Sequence, residues 1–397
     1  MWKRAALAMS VLATTAAIGL AGASGAAQSR PRWQVVPQWR NQIAVVAAGR
    51  IWFFLADPGN PLVVKSAPIA NGRVGAWRRT TLPNTRGWIY KSILRDDLVF
   101  AKSCPGTLQG CTLAAVRLRS DGTLGKPTDV GGAPVPASSS GAEVVQLPDR
   151  AVQVTGYTSG IRSARRGVCC PAVDYTKLVQ PEPGPDLVLG IDHRGRLWMA
   201  WATSYGRPGP SAAKIVELDP STLRLRGTPV VVSASGTTAF YLVCSDACRV
   251  VAERMPPKRY ARAVVISRAP DERSATTLKL PLKKPWLIGR TGSGKRVRVP
   301  APYTLIGAHP SAGRLDVAYW GDGSERGLTV RVARGNVRGA NMHVRSSIFA
   351  PSSSTTVVVG DPHGVSGPGY FAVVAIYERV NGGGGGPLAR VAILPAG

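Results

Sequence analysis

The stretch GIDHRGRLWMAWATSYGR, residues 190–207, sets the reading of the whole chain. Its polar turn, Asp192-His193-Arg194-Gly195, runs through Arg196 straight into the apolar run Leu197-Trp198-Met199-Ala200-Trp201. A glycine-closed polar cluster marks a turn, and a short apolar run beside it is a strand buried on both faces. The same transition recurs at AGRIWFFLA (48–56) and AGRLDVAYW (312–320). Looser copies are LRDDLVFAK (94–102), LPDRAVQVTGY (147–157), CSDACRVVAER (244–254) and GPGYFAVVAIYE (367–378). With Arg50, Asp97, Arg150, Arg196, Arg249, Arg314 and Tyr370 as anchors, the spacings are 47, 53, 46, 53, 65 and 56 residues.

Each anchor strand has company. Apolar stretches precede the later anchors (DLVLGI, AFYLVC, YTLIGA, TTVVVG), and further strands follow (CTLAAVRLR, AKIVELD, RAVVISR, GLTVRVARG, LARVAIL). Some units add a polar-edged fourth strand, such as LRLRGTPVVV after Asp219-Pro220-Ser221. Four short strands per unit of about fifty residues is the footprint of a β-propeller blade. The predicted fold is therefore all-β, a propeller of seven blades, with six or eight as the alternatives because the second and third copies are degenerate. A lone four-stranded sheet leaves apolar faces and open edges, and radial stacking buries the faces. The last unit shows three strands, so RWQVVPQW (32–39) is expected to supply its fourth and close the ring. Trp198 and Trp201 are then core residues between sheets.

The first residues read as a leader. Trp2-Lys3-Arg4 is basic, Ala5 to Leu20 is largely apolar, and AGASGAAQ (21–28) is rich in small residues. This is the pattern of a secretory signal peptide over residues 1–27, leaving residues 28–397 as a single propeller domain outside the cytoplasmic membrane. Its location would be secreted, periplasmic or cell-surface. The chain has 50 Lys and Arg against 22 Asp and Glu; without Lys3 and Arg4 the net charge is +26. Such a field draws polyanions at long range, more strongly at low salt. Acidic polysaccharide or another envelope polyanion is the expected partner, with peripheral membrane contact as an alternative and no specific nucleic acid. A monomer is expected, and no cofactor or metal.

DHRGRLW resembles strand–turn segments of secreted propellers of the sialidase-like BNR repeat family. The Asp-box of that family has Ser or Thr before the Asp and Gly two residues after it. Here Ile191 precedes Asp192, and Gly195 comes three residues after. The resemblance lies in the blade pattern and implies the fold. It keeps a sialidase-like glycoside hydrolase or a polysaccharide lyase as the alternative to a binding module, beside a protein-interaction scaffold.

Six cysteines in an oxidising compartment suggest disulfides. Local pairs fit the blade map best: Cys104 with Cys111 across PGTLQG, Cys244 with Cys248 across SDA, and the adjacent Cys169 and Cys170. The last pair has a free dithiol or a metal site as its rival, but four-Cys zinc spacing is absent. Loops leaving the anchor strands should share one end of the propeller, where ligands are expected. The longest, TSGIRSARRGVCCPAVDY (158–175), carries Arg162, Arg165, Arg166 and Tyr175. Tyr205, Arg207, Lys258, Arg259 and Tyr260 lie on neighbouring loops. These nine residues are the candidate ligand contacts, with a solvated, variable loop as the plainer reading.

GRTGSGKR (289–296) nearly spells a P-loop, but Arg296 stands where Ser or Thr should hold magnesium. The strand-like RVRVP that follows is no helix N-terminus, so the segment reads as a basic loop. His193, His309, His343 and His363 form no H-E-x-x-H pair, and no G-x-S-x-G elbow or calcium loop occurs. A glycosidase needs two carboxylates about 5 to 9.5 Å apart. Asp316 with Asp322, or Glu143 with Asp174, are the pairs to check.

Overall fold

Gly195, which closes the opening turn, has φ +75°, and Gly49, Gly313 and Gly369 have φ +69°, +73° and +73°. Each directly precedes an anchor. The left-handed backbone costs glycine nothing, which is why Gly-Arg or Gly-Tyr recurs at these turns. Within the turn, Asp192 accepts hydrogen bonds from the backbone N of Arg194 and Arg196 (both 3.0 Å), from Arg196 Nε (2.7 Å) and from Trp198 Nε1 (3.2 Å). Burial opposes its ionised form, yet these donors prevail and hold the carboxyl below the ordinary carboxylate range.

The computed structural model describes residues 31–37, 44–55, 62–82, 89–90, 97–102, 112–132, 141–146, 151–157, 160–165, 173–174, 186–202, 212–255, 264–281, 286–290, 296–300, 303–311, 313–324, 327–351, 356–367, 369–379 and 388–395. The expected leader lies outside them. Every anchor falls at, or one residue from, the start of the second strand of a sheet.

The fold is an all-β propeller of antiparallel sheets taken up in chain order. The first sheet holds Ala44–Ala47, Arg50–Leu55 and Leu62–Ala70, with Arg73–Val74 and Arg78–Leu82 both pairing the third. The second holds Ile89–Tyr90, Asp97–Lys102, Thr112–Arg117 and Thr128–Gly132. The third holds Gly141–Gln146, Ala151–Tyr157, Gly160–Arg165 and Val173–Asp174. The fourth holds Asp186–Ile191, Leu197–Ala202, Ala213–Leu218 and Leu225–Ser233, and the fifth Thr237–Cys244, Cys248–Arg254, Val264–Arg268 and Thr276–Leu278. A two-stranded hairpin, Trp286–Arg290 with Arg296–Pro300, separates the fifth from the sixth. The sixth holds Tyr303–Ser311, Arg314–Ser324, Gly327–Asn336 and His343–Pro351. The seventh holds Thr356–Gly367, Tyr370–Arg379 and Leu388–Pro395, and its fourth strand is Gln34–Val35 from the other end of the chain. The expected closure is therefore present.

First strands of successive sheets neighbour one another from the second sheet through to the seventh, and the seventh meets the first. Most core clusters join consecutive sheets, while one lies within the fourth sheet. Trp198, Ala200 and Ala202 pack toward the fifth sheet, while Leu197, Met199 and Trp201 lie on the opposite face. Trp198 and Trp201 are buried, so they are core residues as expected. Trp52, Phe54, Leu82, Val116 and Leu118 join the first sheet to the second. Polar clasps supplement this burial. Leu305 N of the sixth sheet donates to the buried Glu253 carboxylate of the fifth at 2.6 Å. Arg268 Nη1 of the fifth reaches Val231 O of the fourth at 2.6 Å, and Arg50 Nη1 reaches Ser120 O at 3.1 Å.

Cys244 and Cys248 face each other across the Ser245-Asp246-Ala247 turn and are disulfide-bonded. Cys104, Cys111, Cys169 and Cys170 lie outside the described residues. Among the described residues no His, Cys, Asp and Glu group could hold a metal ion, and no helix is long and apolar enough to cross a membrane.

Candidate functional site

Antiparallel pairing gives the sheets two distinct ends. Turns between first and second strands share one, the turn end; connections between second and third strands share the other. The candidate ligand contacts were expected at the latter. Tyr205, Arg207, Lys258, Arg259 and Tyr260 lie on segments outside the described residues, as do Arg166 and Tyr175.

Arg162 and Arg165 correct the expectation. They are not in a loop but on the strand Gly160–Arg165, whose first residue pairs with Tyr157. The alternation in GIRSAR suffices to extend a strand once Ala151–Tyr157 offers an open edge. Arg165 pairs with Val152 at the turn end, so the one long loop is divided between the two ends. Arg162 stands opposite Asp174 in register.

The two acid pairs do not converge. Asp316 and Asp322 are six residues apart on one strand, roughly 20 Å at ~3.3 Å per residue. Glu143 belongs to the row Glu143, Val154, Ser163, Val173, whereas Asp174 belongs to the next row and so to the other face. Neither is the carboxylate pair of a glycosidase.

A cation-rich site does emerge, in the sixth sheet at its turn end. His309, Asp316, Arg334 and His343 stand directly opposite one another across all four strands. Asp316 is fully buried, and its two oxygens accept from Arg334 Nε at 2.6 Å and Nη2 at 2.8 Å. This forked pair raises the affinity of Arg334 for its proton, so the guanidinium stays charged. Two residues nearer the turn, Arg314 stands opposite Asn336. Arg314, Arg334, Asn336, Asn341, His343 and Arg345 line an open cavity of about 410 Å³. Among the described residues, none that lines it is acidic. Arg334 has Asp316, but among the described residues Arg314 and Arg345 have no ion pair. The cavity therefore carries a surplus of positive charge beside amide donors, a donor set suited to a carboxylate, sulfate or phosphate oxygen.

At the inner end of the row, His309 meets the Phe371 ring of the seventh sheet edge-on, centroids 6.5 Å apart. Burial is the main influence on it and pushes its pKa below the ordinary imidazole value; Asp316 opposes this and Arg334 adds to it. The unfolded imidazole titrates near 6.5, so just below that pH the unfolded chain binds more protons than the folded one. Stability should rise with pH through this window and fall as pH drops below it. Urea midpoints are expected to be higher at pH 7.5 than at 5.5, and His309→Gln should shrink the difference. Equal differences in both proteins would refute this account.

Sequence reading did not single out Arg314, His343 or Arg345 as ligand contacts. The signal was there in a subtle form: Arg314-x-Asp316, Arg334-x-Asn336 and His343-x-Arg345 put polar residues two apart, hence on one face, in three successive strands. His193 takes a different role, its backbone N donating to Ser245 O of the neighbouring turn at 3.0 Å.

No family model matches the chain, and no curated protein is significantly similar to it. Solved structures are similar in fold. The crystal structure of polysaccharide lyase Uly1 has 7% identity, covering 92% of this chain and 91% of that one, with a TM-score of 0.50. The β-propeller domain of the Trilobed protease from Pyrococcus furiosus has 10% identity, 88% and 92% coverage, and a TM-score of 0.44. At such identities the likeness concerns the fold alone. The sialidase-like BNR resemblance has no family match behind it.

Proposed function

We propose that this chain is a secreted, seven-bladed propeller that binds an acidic saccharide or related polyanionic ligand at the cell envelope. In this reading the hairpin at 286–300 is an insertion between blades, residues 1–27 are a removed leader, and the mature protein acts as a monomer. The observation that carries it is the sixth-sheet cavity, which gathers Arg314, Arg345 and His343 around an already paired Arg334, with no carboxylate among the described residues of its lining. The Cys244–Cys248 disulfide supports an oxidising compartment. The net charge, +28 for the full chain and +26 without Lys3 and Arg4, supports attraction of anions from a distance.

Binding of uronic-acid oligosaccharides and of neutral oligosaccharides of equal length to the mature protein tests the reading. Acidic ligands should bind and neutral ones should not. Arg314→Ala with Arg345→Ala should weaken binding at least tenfold, about 1.4 kcal/mol or more. Unchanged binding in that variant would refute the site. Release of shortened products during the titration would make the protein an enzyme of the lyase or hydrolase kind instead.

A further inference from the structure

The hairpin between the fifth and sixth sheets is the structure's departure from a plain repeat. It occupies the long spacing of 65 residues between Arg249 and Arg314. It leaves from Leu278, the last residue of the fifth sheet, and returns at Tyr303, the first residue of the sixth. Tyr303 pairs with Gly321, far from the turn at Gly313, so the hairpin is rooted at the end opposite the cavity. Residues 274–313 hold seven cations, Lys279, Lys283, Lys284, Arg290, Lys295, Arg296 and Arg298, and no acidic residue.

Register sorts the hairpin into two faces. Trp286 with Pro300, Ile288 with Arg298 and Arg290 with Arg296 form one; Leu287 with Val299 and Gly289 with Val297 form the other. All three arginines therefore share a face, and Arg290 stands directly opposite Arg296. Like charges at directly opposed register positions disfavour one another, and residues 274–313 contain no acid. An anion bound along this row would offset that repulsion. Arg298 continues the row about 7 Å along the strand, so the cations are spread for a chain of charges rather than a single one. A membrane-inserting hairpin would join its strands through apolar residues, but the sequence between Arg290 and Arg296 is Thr291-Gly292-Ser293-Gly294-Lys295.

We infer that the 286–300 hairpin is a second binding element, separate from the sixth-sheet cavity, which holds a linear polyanion through Arg290, Arg296 and Arg298.

The test uses the mature full-length protein with polygalacturonate, inorganic polyphosphate and phosphatidylglycerol vesicles as probes, each across a salt series. R290S/R296S/R298S should lose at least tenfold in affinity for both polymers at low salt. The slope of log affinity against log salt should shrink by about two, from roughly 0.7 per cation for a flexible polyanion. The Lys versions at the same three positions should keep the slope, because they keep the charge. A charge-matched control on exposed cations elsewhere, R73S/R119S/K126S, should lose much less. Replacing residues 286–300 by a short Gly-Ser linker should match the triple serine variant, which covers the case of a misfolded hairpin. Equal losses in hairpin and control variants would overturn the proposal in favour of a diffuse field. Losses confined to vesicles would overturn it in favour of a membrane arm. Binding of short uronic-acid oligosaccharides should survive the hairpin variants and fail in R314A/R345A, so the two readings fall separately.

Discussion

Deleting residues 31–37 should abolish cooperative unfolding. This short segment closes the ring. Gln34 and Val35 pair with Val391 and Arg390, and Val36 N donates to Ala389 O at 2.9 Å. The Gln34 amide also reaches across to the first sheet, giving its Nε2 hydrogen to Val74 O at 2.9 Å and accepting from Val74 N at 2.8 Å. Trp33 Nε1 bonds Phe349 O at 2.8 Å, Pro37 O accepts from Lys65 Nζ, and Val36 is fully buried. Burying one such side chain contributes about 1.5 to 3 kcal/mol, and each net hydrogen bond about 0.5 to 1.5 kcal/mol. The combined loss is on the order of 5 kcal/mol or more, comparable to the whole stability of many domains. Without the segment, Leu388–Pro395 also becomes an open edge that invites aggregation. Calorimetry should show a broad, weak transition for the deletion and an unchanged one when only residues 1–27 are removed. A sharp transition near the parent temperature would show that the ring closes without this strand.

Asp316→Ala should be the most damaging single substitution in the sixth sheet, at about 3 to 5 kcal/mol. Arg334 has a side chain only 11% exposed, and its forked partner is the fully buried Asp316. Removing the acid takes the forked carboxylate away from a guanidinium whose side chain is mostly buried. The double variant Asp316→Leu, Arg334→Met should recover much of the loss, because it removes the mostly buried charge together with its acid. The same single substitution adds one net positive charge to the cavity, so binding of an acidic oligosaccharide should tighten while stability falls. Urea unfolding and titration calorimetry on the same protein read both. A loss below about 1 kcal/mol, or weakened binding in a protein that is still folded, would contradict this role for Asp316.

The strand inventory was legible because it follows from local rules. Gly-Arg at positions of left-handed backbone marked the turns, and the runs DLVLGI, AKIVELD and LARVAIL were long and apolar enough to be buried strands. The Cys244–Cys248 bridge was legible because three intervening residues leave only a tight turn. Arg162 and Arg165 were misread because their short alternating segment becomes a strand only when a neighbouring edge accepts it. The hairpin at 286–300 was legible as a strand-like RVRVP, but its pairing with WLIGR was not.

What the sequence by itself determined, then, was the repeated unit, its turns and the need for a closing strand, since hydrophobic period and glycine placement act over a few residues. What only the tertiary structure decided was which charges meet. Asp316 and Arg334 are 18 residues apart, Arg314 and Arg345 are 31 apart, and Glu253 and Leu305 are 52 apart. Their encounter depends on strand register and on sheet stacking. A one-residue slip would send each of these side chains to the other face.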